Sequence, residues 1–487
     1  MALGKTDFGL YGVVGGLTVF IAFFNGLLSQ ATGRFYAVSI GEAAKDIDNE
    51  TNRIVGLENC QQWFSTAVLL HTLVPLFLIA TGYPLGIYVV KHCLIIPPDR
   101  LYACIWVFRF VCIACFVSMI NVPFQAMYTA KQYIAELTIY SFLQTTANLF
   151  FVYYMVTHPG DWLARYAFWM CLVMVVPQIF ICIRAILVFP ECKLRFSFMW
   201  NLHRISSLAR FAFWQGFGTL GVALRGQGIQ LLINGYYHPS VNASFTIANQ
   251  VSAQSQTLSA SLQGAFAPAI TTAYGAQNYA KMLMLSYQTC KFGLLLGLIF
   301  VLPLAIELRE VLTLWLINPP EYSAELCWSV LIMMLIDRSA SGHMLAVSAK
   351  GKIAAYQAFL GSCLILTLPI AWLFVANGFG VESIGVAMVC TMALCVCGRV
   401  WFARSLVGMS AKYWFRKIIL PVGVVNIISG LAGYLPHFFM VPSFARVCVT
   451  TILCEMVFCP LVWCVLLDCT EREFLIKFAS GLLKNEN

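Results

Sequence analysis

The chain has 487 residues, of which 60% are hydrophobic and only 10% charged, with a mean hydropathy of +0.80 and a formal net charge of +9. No ordinary soluble domain has that balance, so the composition points to a chain that is nearly all membrane. The surplus of positive charge is explained below as an orientation signal, and no nucleic-acid partner is needed to account for it.

A bilayer core of about 30 Å takes about 20 apolar residues per helix. Apolar runs between polar breaks predict five helices at 8–40, 60–90, 101–128, 132–157 and 162–189, followed by a polar, basic segment around 190–206. Eight more are predicted at 207–236, 240–274, 282–306, 322–349, 353–376, 381–404, 413–435 and 443–468, with a polar tail beyond. The expected fold is all-α and polytopic, with about 13 transmembrane helices. Thr470-Glu471-Arg472-Glu473 opens the tail with a helix capping-box pattern and predicts a short amphipathic helix at the cytoplasmic face.

Short cytoplasmic loops collect Lys and Arg, which gives a test of topology. The connections after the odd-numbered helices carry 20 of them, including Lys45, Lys131, Arg184, Lys291, Arg399, Lys477 and Lys484. The other side carries only Lys91, Arg100, Arg165, Arg309 and Arg446. This split places the C-terminus in the cytoplasm and the first residues outside. Most of the 19 cysteines, among them Cys112, Cys115, Cys390, Cys395 and Cys397, fall inside apolar stretches and read as small packing residues. No CxxC pairs occur in a polar loop to hold zinc, so neither a metal nor another cofactor is expected.

Self-comparison finds a repeat. Leu94–Trp106 resembles Trp315–Trp328, with Pro97-Pro98 matched to Pro319-Pro320; Ala130-Lys131 matches Ala349-Lys350, and Gly41 matches Gly275. Equivalent helices are separated by an even number, so the two halves share one orientation and are expected to form two like bundles around a central cavity, related by an axis along the membrane normal. The expected boundaries are an N-terminal lobe over 1–205, a C-terminal lobe over 206–408 and two added helices with the tail over 409–487. The sixth helix, 207–236, has no partner in the first half, so an equivalent preceding residue 1 is expected.

Ionisable groups within membrane helices cost about 2.5–3.5 kcal/mol each on insertion scales and need a reason. They are few: Arg34, Arg109, Arg225, Asp337, Arg338 and Glu455. Arg34 is close enough to a helix end to snorkel. Arg109 and Arg225 lie about 12–16 Å inside the outer ends of their helices. They are candidate cavity residues, with structural pairing as the alternative. The seventh helix carries Asn249, Gln250, Gln254, Gln256 and Gln263 among serines and threonines, and Gln227 and Gln230 precede it on the sixth. Gln250, Gln254, Thr257 and Ser261 fall on one helix face. Interhelical hydrogen bonding is the plain explanation, but so broad a polar arc favours a wet cavity. Arginines with amides suit an anionic substrate rich in hydroxyls, because guanidinium binds phosphate bidentately. Asp337 beside Arg338 reads as a local salt bridge, or alternatively as a carboxylate that couples transport to an ion.

With these residues in view, the chain resembles the polysaccharide and O-antigen flippases of the multidrug/oligosaccharidyl-lipid/polysaccharide exporter superfamily, in particular the lipopolysaccharide-biosynthesis type of Bacteroides-like bacteria. The similarity runs through Leu3-Gly4, Phe8–Gly16, Arg34-Phe35 with Gly41, Ile96–Arg100, Val122-Pro123-Phe124, Asn249-Gln250-Val251, Ala267–Ile270 and Gly351–Gln357. It rests on their order and spacing. The resemblance implies 14 helices in the complete pattern and movement of undecaprenyl-pyrophosphate-linked oligosaccharide across the inner membrane by alternating access. Membrane lipids and other polysaccharide-assembly proteins would be the further partners. A multidrug or cation antiporter of the same superfamily is the alternative, and would call for a cavity of acids and aromatics. A membrane enzyme of polysaccharide synthesis is the third, but the outward connections are short and hold no constellation of catalytic acids and bases. No phosphate-binding G-x-x-x-x-G-K-[ST] loop is present, so the chain is not expected to hydrolyse ATP.

Overall fold

The computed structural model describes residues 5–16, 19–44, 50–94, 96–158, 160–473 and 476. Leu3-Gly4, Lys45, Lys477, Lys484 and most of the predicted tail helix lie outside them. Among the described residues the secondary structure is entirely helical. The chain divides into two compact units, Met1–Gly216 with Thr271–Tyr279, and Phe217–Ile270 with Ala280–Asn487.

The first unit contains α1 (Lys5–Gly16), α2 (Val19–Ala43), α3 (Glu50–His92), α4 (Leu101–Ala130), α5 (Ile134–Thr157), α6 (Leu163–Val188) and the start of α7 (Leu202–Tyr236). α4 is its centre, packed against α2, α3 and α6. Around it, Tyr36, Phe64, Met127 and Tyr128 form one buried cluster, and Val14, Val90, Val107, Phe108 and Leu163 another. The second unit contains the rest of α7, then α8 (Pro239–Ser255), α9 (Thr257–Gly275, up to Ile270), α10 (Tyr279–Ile306), the short α11 (Leu308–Leu316), α12 (Ser323–Ser339), α13 (Ser341–Lys350), α14 (Ala354–Ala376) and α15 (Glu382–Val407). α16 (Ala411–Trp414) passes through a π turn into α17 (Leu420–Tyr434), and α18 (Phe444–Leu461) ends in another.

Eight of these helical runs are long and apolar enough to cross a membrane, and nine if the bent pair α12 and α13 counts as one span. All thirteen predicted segments are helical in the structure. The four that miss the criterion among the described residues are α1 with α2, α5, α7, and α8 with α9; α5, α7, α8 and α9 are diluted by amides, hydroxyls and glycines.

Two matched positions of the repeat have structural counterparts. Gln132 follows Lys131 in the left-handed region at φ 66°, and Gly351 follows Lys350 there at φ 83°, so α4 and α13 stop in the same way. Gly41 of α2 and Gly275 of α9 face each other. A Cβ at Gly41 would stand 2.1 Å from the Thr272 carbonyl oxygen, and one at Gly275 would stand 2.2 Å from that of Val38. Only glycine allows two helices to cross this closely.

Two buried ion pairs bind the last helices to α10. Lys291 Nζ lies 2.5 Å from Glu471 Oε2 and donates to the Leu466 carbonyl at 3.2 Å. Glu307, just past the other end of α10, accepts from Arg446 Nε at 3.0 Å and Nη2 at 2.9 Å, and from Thr450 Oγ1 at 2.8 Å. These pairs are about 24 Å apart along the helix. They correct the charge reading, because Lys291, Arg399 and Arg446 are buried inside α10, α15 and α18 and are not loop charges. Their placement answers to carboxylates within the protein and says nothing about orientation.

Two measurements test this packing. Gly41→Ala or Gly275→Ala is expected to cost about 1–3 kcal/mol through overpacking. Because both act on one crossing, the double variant should lose less than the sum, read from thermal midpoints in detergent. Arg446→Ala leaves Glu307 buried without its cation and is expected to cost about 3–5 kcal/mol, more than Arg446→Ala combined with Glu307→Ala.

Candidate functional site

The site begins with a bend. α12 and α13 meet at 46° across Ala340, which interrupts the backbone ladder in the middle of an apolar span. Freed carbonyls in such a place must find donors, since no water is available in hydrocarbon. The Ser339 carbonyl accepts from Trp414 Nε1 at 2.8 Å, and the Asp337 carbonyl, left with a long bond from the Ala340 N–H at 3.4 Å, also accepts from Arg399 Nη1 at 3.2 Å.

The same arginine holds the Asp337 side chain, with Nη2 at 2.8 Å from Oδ1. Arg338 closes on the other oxygen at 3.2 Å and donates to Gln256 Oε1 at 3.0 Å. Asp337 is thus shared between two guanidiniums. Arg225 of α7 lies close enough to feel its charge as a third cation. It is brought in by the approach of α7 to α14 one turn earlier, where a Cβ on Gly221 would stand 2.9 Å from Gly361 Cα. Two arginines therefore hold one carboxylate, and Arg225 adds positive charge to the same neighbourhood without touching it. Each keeps a buried nitrogen with no hydrogen-bond partner among the described residues: Nη1 of Arg225, Nε of Arg338 and Nε of Arg399. Buried donors are almost always satisfied in native proteins, so each of these nitrogens is open to an acceptor. The chemistry on offer is recognition of an anion with several oxygens, by planar donors already partly desolvated.

Of the residues singled out from sequence, the structure brings together Arg225, Gln256, Asp337 and Arg338. The predicted Asp337–Arg338 pair is present, but Arg399 is the shorter partner, and it lies within α15 and not in a connection. The signal available was its position within the apolar run 381–404, where a lone arginine needs a partner. Gln256 interrupts the helical pattern between α8 and α9, yet its N–H still bonds Ser252 O at 3.0 Å and its carbonyl accepts from Ala260 N at 2.9 Å. The polar stripe therefore stays in register across the break. Asn249, Gln250 and Gln254 on that stripe are exposed, as is Gln227, while Gln230 and Gln263 are half-buried. Asn249 donates to its own helix at Phe245 O, 3.0 Å away.

Arg109 belongs to the first unit and has its own partners there. Its Nε donates to Tyr83 Oη at 3.0 Å, and its guanidinium lies 4.8 Å over the Trp106 ring. That arrangement favours the structural reading of Arg109 over the cavity one. Arg34 lies over Phe35 at 4.9 Å and Phe211 at 5.3 Å.

No protein-family model and no curated protein sequence matches the chain. Solved structures do. A multidrug resistance transporter of the MATE family in the MOP superfamily, in an outward-facing conformation, superimposes with a TM-score of 0.67 at 14% identity, over 83% of this chain and 89% of its own. A MATE protein in the bent conformation gives 0.67 at 13% identity, over 85% and 90%. A MOP superfamily transporter from Pyrococcus furiosus, described as having a binding pocket of reverse polarity that suggests a different function, gives 0.60 at 14% identity, over 84% and 93%. At these identities the likeness establishes the fold: this is an all-α, polytopic membrane protein with the MATE-type architecture.

The unequal commitments of the arginines predict unequal consequences. Arg399→Gln removes the shorter partner of Asp337 and a donor to the bend, and is expected to cost about 3–5 kcal/mol. Arg225→Gln removes a cation with an unsatisfied nitrogen and should change stability by less than about 1 kcal/mol. Unfolding in detergent followed by tryptophan fluorescence checks the order.

Proposed function

We propose that this chain is a transporter that moves undecaprenyl-pyrophosphate-linked oligosaccharide from the cytoplasmic to the outer leaflet of a bacterial inner membrane. The observation that carries the reading is the cluster in the second unit: Arg338 and Arg399 on the carboxylate of Asp337, Arg225 within range of its charge, and an unpaired buried nitrogen on each arginine. A pyrophosphate offers several charged acceptor oxygens to such donors, and each charge-assisted bond is worth about 1.5–3 kcal/mol. The exposed amides Gln227, Asn249, Gln250 and Gln254 would be costly against lipid tails and suit sugar hydroxyls. Transport follows if the site is exposed alternately to the two faces of the membrane, and the MATE-type fold supports that mode.

Asp337 has a specific part here. It neutralises the arginines until substrate arrives, so the anion competes with a carboxylate already in place. This makes Asp337 a positioning residue for the arginines, and a coupling role for it would require its release from both. The second reading, a multidrug or cation antiporter, is favoured by the multidrug transporter among the structural relatives. It is disfavoured by the site, because three arginines repel a cationic drug and the one acid is occupied. The Pyrococcus furiosus relative, with its pocket of reverse polarity, supports the idea that this fold accommodates more than one substrate charge.

The decisive experiment removes the gene from a polysaccharide-producing host and measures lipid-linked oligosaccharide in the cytoplasmic leaflet. Accumulation rescued by this chain supports the flippase; raised drug sensitivity without accumulation supports the antiporter. In the rescue assay Arg225→Glu is expected to lower export about 10- to 100-fold with normal membrane levels. Arg109→Glu should act mainly on protein level, since that side chain is already committed to Tyr83 and Trp106.

A further inference from the structure

Between α6 and α7 the chain leaves the helical pattern and makes two 3-10 turns, Pro190–Cys192 and Phe196–Phe198. This connection is fastened to the start of α3 at three points. Gln61 Nε2 donates to the Lys193 carbonyl at 2.7 Å, the Arg195 N–H to Ser65 Oγ at 3.3 Å, and Thr66 Oγ1 to the Phe198 carbonyl at 3.1 Å. The shape it presents is therefore set.

What it turns outward is of two kinds. Phe196, Trp200 and Leu202 are 81%, 71% and 80% exposed. Lys193 and Arg195 are exposed beside them, on the rim of a cleft of about 370 Å3 that Ile54, Leu57 and Gln61 of α3 complete. Two acids, Glu58 and Glu191, also line the cleft and offset its positive charge in part. Glu191 is buried and bonded to Lys131 at 2.7 Å, and Glu58 is an exposed side chain 4.0 Å from Arg195 alone.

Large aromatics this exposed are poorly placed in water. They cannot lie in the hydrocarbon either, because the irregular backbone that carries them has N–H and C=O groups that need polar partners. The remaining environment is the interface, where aromatic rings rest at headgroup level and Lys and Arg meet lipid phosphates. We infer that residues 193–202 form an interfacial anchor that binds an anionic phospholipid, with Lys193 and Arg195 on the headgroup phosphate and Phe196, Trp200 and Leu202 among the upper acyl carbons. The cleft beside Ile54 and Leu57 receives the glycerol end of the lipid. This inference is independent of the transported substrate, and it places a lipid contact at the start of α7, the helix that carries Arg225.

The test uses the full chain with a photoreactive benzoylphenylalanine at Phe196, reconstituted in vesicles of phosphatidylglycerol and phosphatidylethanolamine. The expected result is a covalent adduct with phosphatidylglycerol that falls about fivefold for each charge removed in Lys193→Gln and Arg195→Gln. Replacing phosphatidylglycerol by phosphatidylcholine should lower the total lipid adduct at this position similarly. The same probe at Phe142, an exposed position on α5, reports correct insertion and should label lipid regardless of charge. Three outcomes would overturn the inference: no lipid adduct at Phe196 while Phe142 labels, an adduct indifferent to headgroup and to both substitutions, or, in whole cell membranes, an adduct with another protein in place of lipid.

Discussion

The contact between Asp337 and Arg399 is the constraint on which the second unit turns. The bend at Ala340 releases backbone carbonyls into an apolar span, and a carboxylate sits at the same place. Arg399 answers both at once, through the Asp337 carbonyl and its side chain. Arg399 thereby strengthens a carbonyl that otherwise keeps only the Ala340 N–H, and shares with Arg338 a charge that would cost several kcal/mol unpaired in hydrocarbon. Once they are joined, the bend becomes a stable feature, and Arg338 and Arg225 collect around it.

The same logic appears elsewhere in the chain. Lys291 with Glu471 and Arg446 with Glu307 are buried pairs whose value lies in location: each holds the terminal helices to α10 at one end. Buried ion pairs are weak sources of net stability but are strongly destabilising when broken. They therefore act as registration points, in contrast to the cluster at Asp337, where two arginines share one acid. That imbalance separates a site poised for an outside anion from pairs that are complete in themselves.

The connection between α6 and α7 adds a different kind of contact with the surroundings. Its aromatics are exposed in a segment whose backbone excludes it from the hydrocarbon, so composition and conformation together define the depth at which it can rest. Because it is hydrogen-bonded to α3, lipid bound there would also load the first unit.

The all-α, polytopic class was legible in the sequence because hydropathy is local: a run of apolar residues declares a helix with no knowledge of its neighbours. Gly41 and Gly275 stood out in the sequence only as matched positions; that they face each other at a close crossing is shown by the packing alone. The sequence also marked Arg225, Gln256, Asp337 and Arg338 as polar groups in apolar company that required partners. It could not choose those partners. Arg399 stands 62 residues from Asp337 and joins it through the packing of α15 on α12. Lys291 and Arg446 look like orientation charges until the carboxylates opposite them are seen. Burial and pairing depend on distances between helices, which no periodicity encodes, so the tertiary structure alone decided which charges face one another and which keep a donor free.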